Sequence, residues 1–530
     1  MGAFLLWAAL PPMDFWPLAW IAPIPWVLLI RRRELDGRRP YAMLTLAGFL
    51  FWMGALHWLR LPHWATSFGW IALSFYFAFY VPVFIALSRV AVHRLRVSAI
   101  LAAPIVWTGL ELARAHLLTG MTMGSLGHTQ YRWIELIQLS DLFGAYGVSF
   151  VVMFVAAALG RMLPLDNDRR AFWPLLPAVA MVAAALLYGH VRTGGDYTSP
   201  GPRIALVQGS IDVTLQYAPD LGDRIFNEYY ELSRKVLEKD RRIELVVWPE
   251  SMFPESILTF DDDAHWSPDL GGAEAEFREA MHAAAEQKSS GMAPRDMAQV
   301  ARWLHVPWLV GVNARHVGRE TVQRFGSAAY VASDGRLLGR YDKMHLVMFG
   351  EYVPFAQYFP WLQRLTPLPE SATPGDKPAA FELSGIRISP NICYESVMPH
   401  VICRQINALA AEGKEPDVLV NVTNDGWFWG SSELDMHLSC GVFRAVECRK
   451  PFLIAANTGF SAWIDGDGRI QQQGPRRATG VIVADVRLDH RRSWYLERGD
   501  WFAGACLAAC VLLAGIGLYA VRNGRKSPGA

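Results

Sequence analysis

The chain has 530 residues, of which 52% are hydrophobic and 19% charged, and its formal net charge is +1. That length allows two domains, and the near-neutral balance leaves no electrostatic footprint for nucleic acid. Twenty-one Trp are more than an ordinary soluble enzyme carries, and six Cys without a CxxC pair indicate neither a zinc site nor a disulfide framework.

The averages hide a split. Residues 1–190 and 501–521 are mostly apolar blocks, and 203–495 reads as a globular domain reached through a Gly/Pro-rich linker at 191–202. A spanning helix needs about 20 apolar residues. Candidate spans lie at 14–30, 41–60, 68–88, 97–117, 141–160, 172–190 and 501–521. Residues 1–10 are a further apolar stretch, either a short span or a signal peptide. The second reading lacks a basic leader and a small-residue cleavage site. With that stretch the count is about eight. Basic clusters then follow every second span: Arg31, Arg32, Arg33, Arg38 and Arg39; Arg89, Arg94 and Arg96; Arg161, Arg169 and Arg170; Arg522, Arg525 and Lys526. All fall on one side, which the positive-inside rule makes cytoplasmic. The polar domain is therefore expected outside, anchored at both ends. Glu111 and Arg114, one helical turn apart, are expected to neutralise each other between helices, and Gln130, Gln138 and Asp141 cluster near the sixth span.

In the polar domain, short apolar runs at Ile204–Gly209, Glu244–Trp248, Trp308–Val312, Val418–Val422 and Phe452–Ala456 predict strands. Helical patterns at 224–240, 294–304, 399–412 and 434–449 lie between them. Such alternation predicts an α/β domain with helix-covered sheets. The segment 257–293, with Asp261-Asp262-Asp263, Gly271-Gly272 and Ser289-Ser290-Gly291, breaks the rhythm and is expected to be a partly disordered surface insertion or lid.

Three segments carry chemistry: Trp248-Pro249-Glu250-Ser251, Arg340-Tyr341-Asp342-Lys343 and Asn391-Ile392-Cys393-Tyr394-Glu395. They supply a carboxylate, an ammonium and a thiol, each at or just past an apolar run. A strand-to-helix turn at Cys393 would expose its sulfur as a nucleophile that forms a thioester. Glu250 is the candidate base. Lys343 is the candidate cation for an oxyanion, with the Tyr394 N–H beside it. No His cluster has metal-ligand spacing, and His345 and His437 are expected to be hydrogen-bonded core groups.

The order of these segments resembles the Glu-Lys-Cys triad of the nitrilase (carbon–nitrogen hydrolase) superfamily. Over nearly its whole length the chain resembles the bacterial apolipoprotein N-acyltransferase family. The resemblance extends to Phe15–Trp20, Gly144–Ser149, Leu206–Gly209, Phe349–Pro354, Asn424–Phe428 and Asn457–Ala462. It implies a polytopic helical membrane domain joined to a nitrilase-like αββα sandwich on the periplasmic side of the inner membrane. It implies Glu250, Lys343 and Cys393 as catalytic, and Glu351, Tyr394 and Glu395 as supporting residues. The implied substrates are a phospholipid acyl donor and a diacylglyceryl-apolipoprotein acceptor, with no cofactor or metal and a monomeric enzyme. Tyr217 stands where the family usually has Trp, and Met348 where it usually has Pro. Tyr217, Phe349, Trp427 and Phe428 are candidate lipid or gate contacts. A membrane-anchored amidase or lipid hydrolase, and a non-catalytic membrane scaffold, are the alternative readings.

Overall fold

The structure is a computed structural model, and it describes residues 1–165, 170–212, 220–266, 274–319, 321–356, 358–359, 361–362 and 371–524. Among these, four helices are long and apolar enough to cross a membrane: Thr66–His93, Ala145–Met162, Leu175–Thr193 and Trp501–Ala520. The stretches at 14–30 and 41–60 form shorter apolar helices, Trp16–Arg31 and Pro40–Ala55, the second continued by a 3-10 turn, His57–Arg60. Residues 1–10 form only Gly2–Ala9. At about 1.5 Å per residue that helix is far too short to span. The stretch at 97–117 is the helix Ala99–His116, interrupted chemically by Pro104, Glu111 and Arg114.

Glu111 and Arg114 are buried opposite charges close enough to compensate each other, as expected, but their hydrogen bonds go to other groups. Glu111 Oε1 accepts from Trp107 Nε1 (2.9 Å) and from the Leu126 N–H (2.8 Å). Arg114 donates to the Met123 carbonyl and to Ser125 Oγ, both at 2.8 Å. Both residues spend their polarity on the 123–126 segment that crosses the helix, a partner that spacing within one helix cannot reveal.

The polar domain contains thirteen described strands: β1 (Thr198–Gln208), β2 (Leu245–Trp248), β3 (Ser256–Phe260), β4 (Trp308–Val317), β5 (Val322–Val331), β6 (Leu337–Asp342), β7 (Phe381–Leu383), β8 (Ile386–Ile392), β9 (Val418–Thr423), β10 (Phe452–Ala456), β11 (Ala462–Ile464), β12 (Ile470–Gln473) and β13 (Gly480–Asp489). One sheet runs β13-β1-β2-β4-β5-β6, with β3 also on β4; the other runs β12-β11-β10-β9-β8-β7. Alternate residues of each strand face the partner sheet. Ile204, Leu206, Leu245, Val247 and Leu309 meet Ile388, Ile392, Val418, Val420, Val422 and Leu453 in one buried cluster. The outer face of the first sheet carries Val207, Val246, Trp248 and Val310 against helices Leu221–Lys239 and Arg295–Leu304. The outer face of the second carries Leu419, Phe452 and Ile454 against helices Pro399–Ala411 and Glu433–Cys448. The result is an αββα sandwich, with burial of each large aliphatic side chain stabilising it by about 1.5–3 kcal/mol.

Two expectations change. The linker is shorter, because the preceding helix runs to Thr193 and β1 starts at Thr198. Pro200 and Pro202 are tolerated because the pairing of β1 with β2 begins only at Ile204 and its register with β13 shifts between Pro200 and Arg203. The expected insertion also joins the sheet. Ser256–Phe260 pairs in parallel with Asn313–Val317 of β4, and helix Glu274–Ser290 packs on it with Phe277 5.4 Å from Phe260. Gly271-Gly272 lies outside the described residues.

The second sheet's helix layer is also the seam with the membrane helices. Arg449 donates to Asp141 Oδ2 at 2.6 and 2.9 Å and to Gln138 Oε1 at 2.7 Å. Tyr188 and Arg192 complete the shell of Asp141 at 2.6 and 2.8 Å. Glu447 accepts the Ala145 N–H at 2.9 Å. Its carboxylate thereby caps the start of a membrane helix, where the helix dipole favours negative charge.

Candidate active site

Each of the three expected catalytic residues sits where a strand ends. β2 stops at Trp248 because Pro249 has no N–H to continue the ladder. Glu250 follows directly, lying over Gly311 of β4. A Cβ on Gly311 would fall 2.1 Å from the Pro249 oxygen and 2.5 Å from the Glu250 Cα, so only glycine admits this approach. β6 ends at Asp342, and the Lys343 N–H is held by the Gly326 carbonyl at 2.9 Å. β8 ends at Ile392, and Cys393 starts a 3-10 turn, Cys393–Val397, with φ of 51°. A positive φ at a residue with a Cβ costs about 1–2 kcal/mol and marks a backbone held by its surroundings. Two donors hold it: Asn421 Nδ2 (3.1 Å) and Ser396 Oγ (3.0 Å) both reach the Cys393 carbonyl.

The structure brings Glu250, Lys343, Glu351 and Cys393 together. Lys343 Nζ donates to Glu351 Oε1 at 2.7 Å and to Glu250 Oε1 at 3.3 Å, and its side chain is 1% exposed. Glu250 Oε2 accepts the Asn424 N–H at 3.2 Å, and Glu351 Oε2 accepts the Val347 N–H at 2.8 Å. Burial works against the Lys343 ammonium, yet the carboxylates of Glu250 and Glu351 carry it well above its ordinary value, so it stays charged. Burial raises Glu250, opposed by Lys343 and reinforced by Glu351. That moves the carboxylate toward the range useful for a base. Burial, and next the charge of Glu250, push the Cys393 thiol well above its ordinary value, with Lys343 opposing. Cys393 therefore rests as a thiol, and Glu250 is the carboxylate foremost among those acting on it.

Glu395 lies behind the site, fully buried. Its Oε1 accepts from the Tyr341 hydroxyl (2.8 Å), the Met344 N–H (2.8 Å) and the His345 N–H (3.0 Å). Its Oε2 accepts from the same hydroxyl (2.8 Å) and from the Ile392 N–H (2.7 Å). One carboxylate thus ties the strand end that carries Lys343 to the strand end that carries Cys393. Tyr394 points the other way. Its hydroxyl donates to the Gly120 carbonyl at 3.0 Å, and its ring packs into the apolar cluster of the membrane helices. That places the turn bearing Cys393 directly on the membrane part.

Of the expected lipid contacts, Phe428 packs at 4.9 Å against Trp58 of the membrane part, Trp427 is half-buried, and Phe349 is exposed with φ of 61°. Tyr217 lies outside the described residues. Asn421, Ser396, the Asn424 N–H and Tyr341 were not singled out in the sequence. Except for Ser396, which reaches back three positions to the Cys393 carbonyl, their contacts join segments 28 to 174 positions apart and leave no local pattern. Two groups place three ligand-type atoms within 4.8 Å of one another: His116, His400 and Asp500, and Asp425, Glu433 and His437. The His116 and His400 rings are stacked at 4.1 Å, so an ion in the plane of one ring lies out of the plane of the other. In the second group the His437 ring is already hydrogen-bonded on both nitrogens.

Residues 2–158 match the family model for the apolipoprotein N-acyltransferase N-terminal domain, and residues 203–495 match that for carbon-nitrogen hydrolase. The chain is 33% identical to the apolipoprotein N-acyltransferase of Geobacter metallireducens, covering 97% of this chain and 94% of that one. It is 32% identical to that of Rhodopirellula baltica, covering 96% and 94%. Relatives that match nearly from end to end, together with the two family models, place the chain in the apolipoprotein N-acyltransferase family, with a carbon–nitrogen hydrolase domain as its larger part.

Proposed function

We propose that this chain moves a fatty acyl group from a phospholipid to the N-terminal α-amine of a diacylglyceryl-cysteine in an apolipoprotein, by ping-pong catalysis through Cys393. The observation that carries the reading is the buried Lys343 ammonium between Glu250 and Glu351, grouped with a thiol whose neighbouring Tyr394 reaches into the membrane helices. A water-soluble amide needs no such seat; two lipid substrates do.

In the first half-reaction Glu250 takes the Cys393 proton as sulfur attacks the sn-1 ester carbonyl. Lys343 and the Tyr394 N–H stabilise the oxyanion. Such donors contribute about 3–4 kcal/mol each when they meet the developing charge. Collapse breaks the carbonyl–oxygen ester bond, and Glu250 returns the proton to the departing lysophospholipid. In the second half-reaction the neutral amine attacks the thioester, Glu250 takes its proton, and the amide leaves as the thiol reforms. Glu351 keeps Lys343 oriented and charged, and Glu395 fixes the spacing of the Lys343 and Cys393 strand ends.

The topology proposed is seven crossings, one fewer than the sequence count because Gly2–Ala9 is too short to span, with the four basic clusters cytoplasmic and the sandwich on the periplasmic face of the inner membrane. The enzyme is proposed to act as a monomer. Purified protein incubated with phospholipid and a diacylglyceryl lipopeptide tests the reading. The lipopeptide should gain one acyl chain with an equal yield of lysophospholipid. Free fatty acid in place of acylated lipopeptide would make the protein a lipid hydrolase and refute the transfer.

A further inference from the structure

A second hydrogen-bonded chain lies under the nucleophile, and the scheme above does not use it. Ser396 Oγ is 3.0 Å from the Cys393 carbonyl oxygen and 2.7 Å from His437 Nε2. His437 Nδ1 is 3.2 Å from Asp425 Oδ1, which also accepts the Thr423 hydroxyl at 2.8 Å. Ser396, His437, Asp425 and Thr423 are each 3% exposed or less. The order is that of a Ser-His-Asp relay, but burial denies Ser396 any substrate, so it is not a second nucleophile.

The direction of the chain follows from counting hydrogens. Ser396 has one hydroxyl hydrogen. Two oxygens at 3.0 Å repel unless a hydrogen lies between them, so that hydrogen points at the Cys393 carbonyl. His437 Nε2 then supplies the hydrogen of the 2.7 Å contact, and Asp425 faces the ring's other nitrogen. The two links from His437 Nε2 through Ser396 donate toward Cys393, where Asn421 Nδ2 adds a second donor. A trans peptide is planar, with its C=O and N–H on opposite sides. Two donors on the Cys393 oxygen therefore fix the direction of the Tyr394 N–H and, by polarising the amide, strengthen it as a donor. Glu433 faces the same ring with Oε1 3.9 Å from Nδ1, and burial, then Asp425, push its carboxyl well above the ordinary range.

We propose that Ser396, His437 and Asp425 are positioning residues for acyl transfer: through the Cys393 carbonyl they aim the Tyr394 N–H at the oxyanion. This rests on Cys393 being the acyl carrier.

The test is single-turnover acylation of Cys393 by phospholipid, followed by intact mass, in wild type, Ser396→Ala, His437→Leu, His437→Gln and the Ser396→Ala/His437→Leu double variant. Ser396→Ala and His437→Leu should slow acylation about 10- to 100-fold, less than deleting an oxyanion donor outright, with the donor concentration for half-maximal rate unchanged. His437→Gln, which keeps an N–H toward Ser396, should recover most of the rate. The double variant should be no slower than Ser396→Ala, because both act through one bond. Acylation at the wild-type rate in Ser396→Ala, or multiplied losses in the double variant, would overturn the proposal while leaving Cys393 as carrier. Should His437→Leu fail to fold, Ser396→Ala decides alone. A wild type that never gains acyl mass removes the carrier itself, and this proposal with it.

Discussion

Glu395 offers the sharpest test of how the site is held. Replacing it with Gln keeps the shape and exchanges one oxygen for an NH2. The present carboxylate serves four donors: the Tyr341 hydroxyl and the N–H groups of Met344, His345 and Ile392. The amide does best by keeping its oxygen toward Met344 and His345. Its NH2 then meets the Ile392 N–H, donor against donor, one residue before Cys393. A buried N–H without an acceptor costs about 1–3 kcal/mol. Loss of the charge weakens the surviving bonds by roughly 1 kcal/mol each, and relief of carboxylate burial offsets part of that. The net expectation is a destabilisation of about 2–4 kcal/mol. The catalytic loss should be larger in proportion, because a shift near 1 Å between Lys343 and Cys393 costs about 100-fold in rate. Thermal unfolding in detergent and intact-mass acylation measure the two effects on one sample. An unchanged melting temperature, with acylation near the wild-type rate, would refute the claim that this carboxylate joins the two strand ends.

Three further outcomes follow from the same geometry. Glu351 is among the causes that raise Glu250; in Glu351→Gln the Glu250 pKa therefore falls, and the acid limb of the acylation rate moves to lower pH beneath a reduced maximum. A limb that moves to higher pH would contradict the charge coupling. Gly311→Ala puts a Cβ 2.1 Å from the Pro249 oxygen and should lose most acylation, whereas Gly326→Ala, with nothing within 4 Å, should keep it; equal rates in the two variants would contradict the close approach. Asp141→Ala leaves buried Arg449 with only the more distant Asp467 carboxylate at 3.6 Å, a change worth up to about 3–5 kcal/mol, and should cut the yield of folded protein. Adding Arg449→Met should restore yield, as measured by size-exclusion chromatography, and a failure to do so would separate the seam from this ion pair.

The strand ends at Glu250 and Cys393 were readable because they are chemically marked, whereas the strand before Lys343 was not predicted. Pro249 stops a run of Leu, Val and Trp, and Cys393 follows Ile-Ser-Pro-Asn-Ile, so a strand-to-turn geometry was expected there and the positive φ at Cys393 realises it. The helices Arg295–Leu304 and Pro399–Ala411 carry one apolar face each and were legible for that reason. β3 was missed because five residues next to three Asp carry too weak an alternation against so strong a loop signal. The hydrogen bonds that fix the site were invisible for a different cause. Asn421 and His437 act on Cys393 from separate elements, His437 through Ser396 of the turn itself, and side-chain contacts between elements have no periodicity. The hydrogen-bond partners of Glu111 and Arg114 were hidden on the same ground: a shared helix face says which residues point together, not which loop crosses them.

The most direct measurement is the mass of the proteolytic peptide containing Cys393 after detergent-purified protein has met phospholipid alone. A fatty-acyl increment on that peptide, absent from Cys393→Ala and discharged by an added amine-bearing lipopeptide, is the predicted result. An increment that water removes as fast as the lipopeptide does, or none at all with the lipid shown to be accessible, would contradict acyl transfer through Cys393.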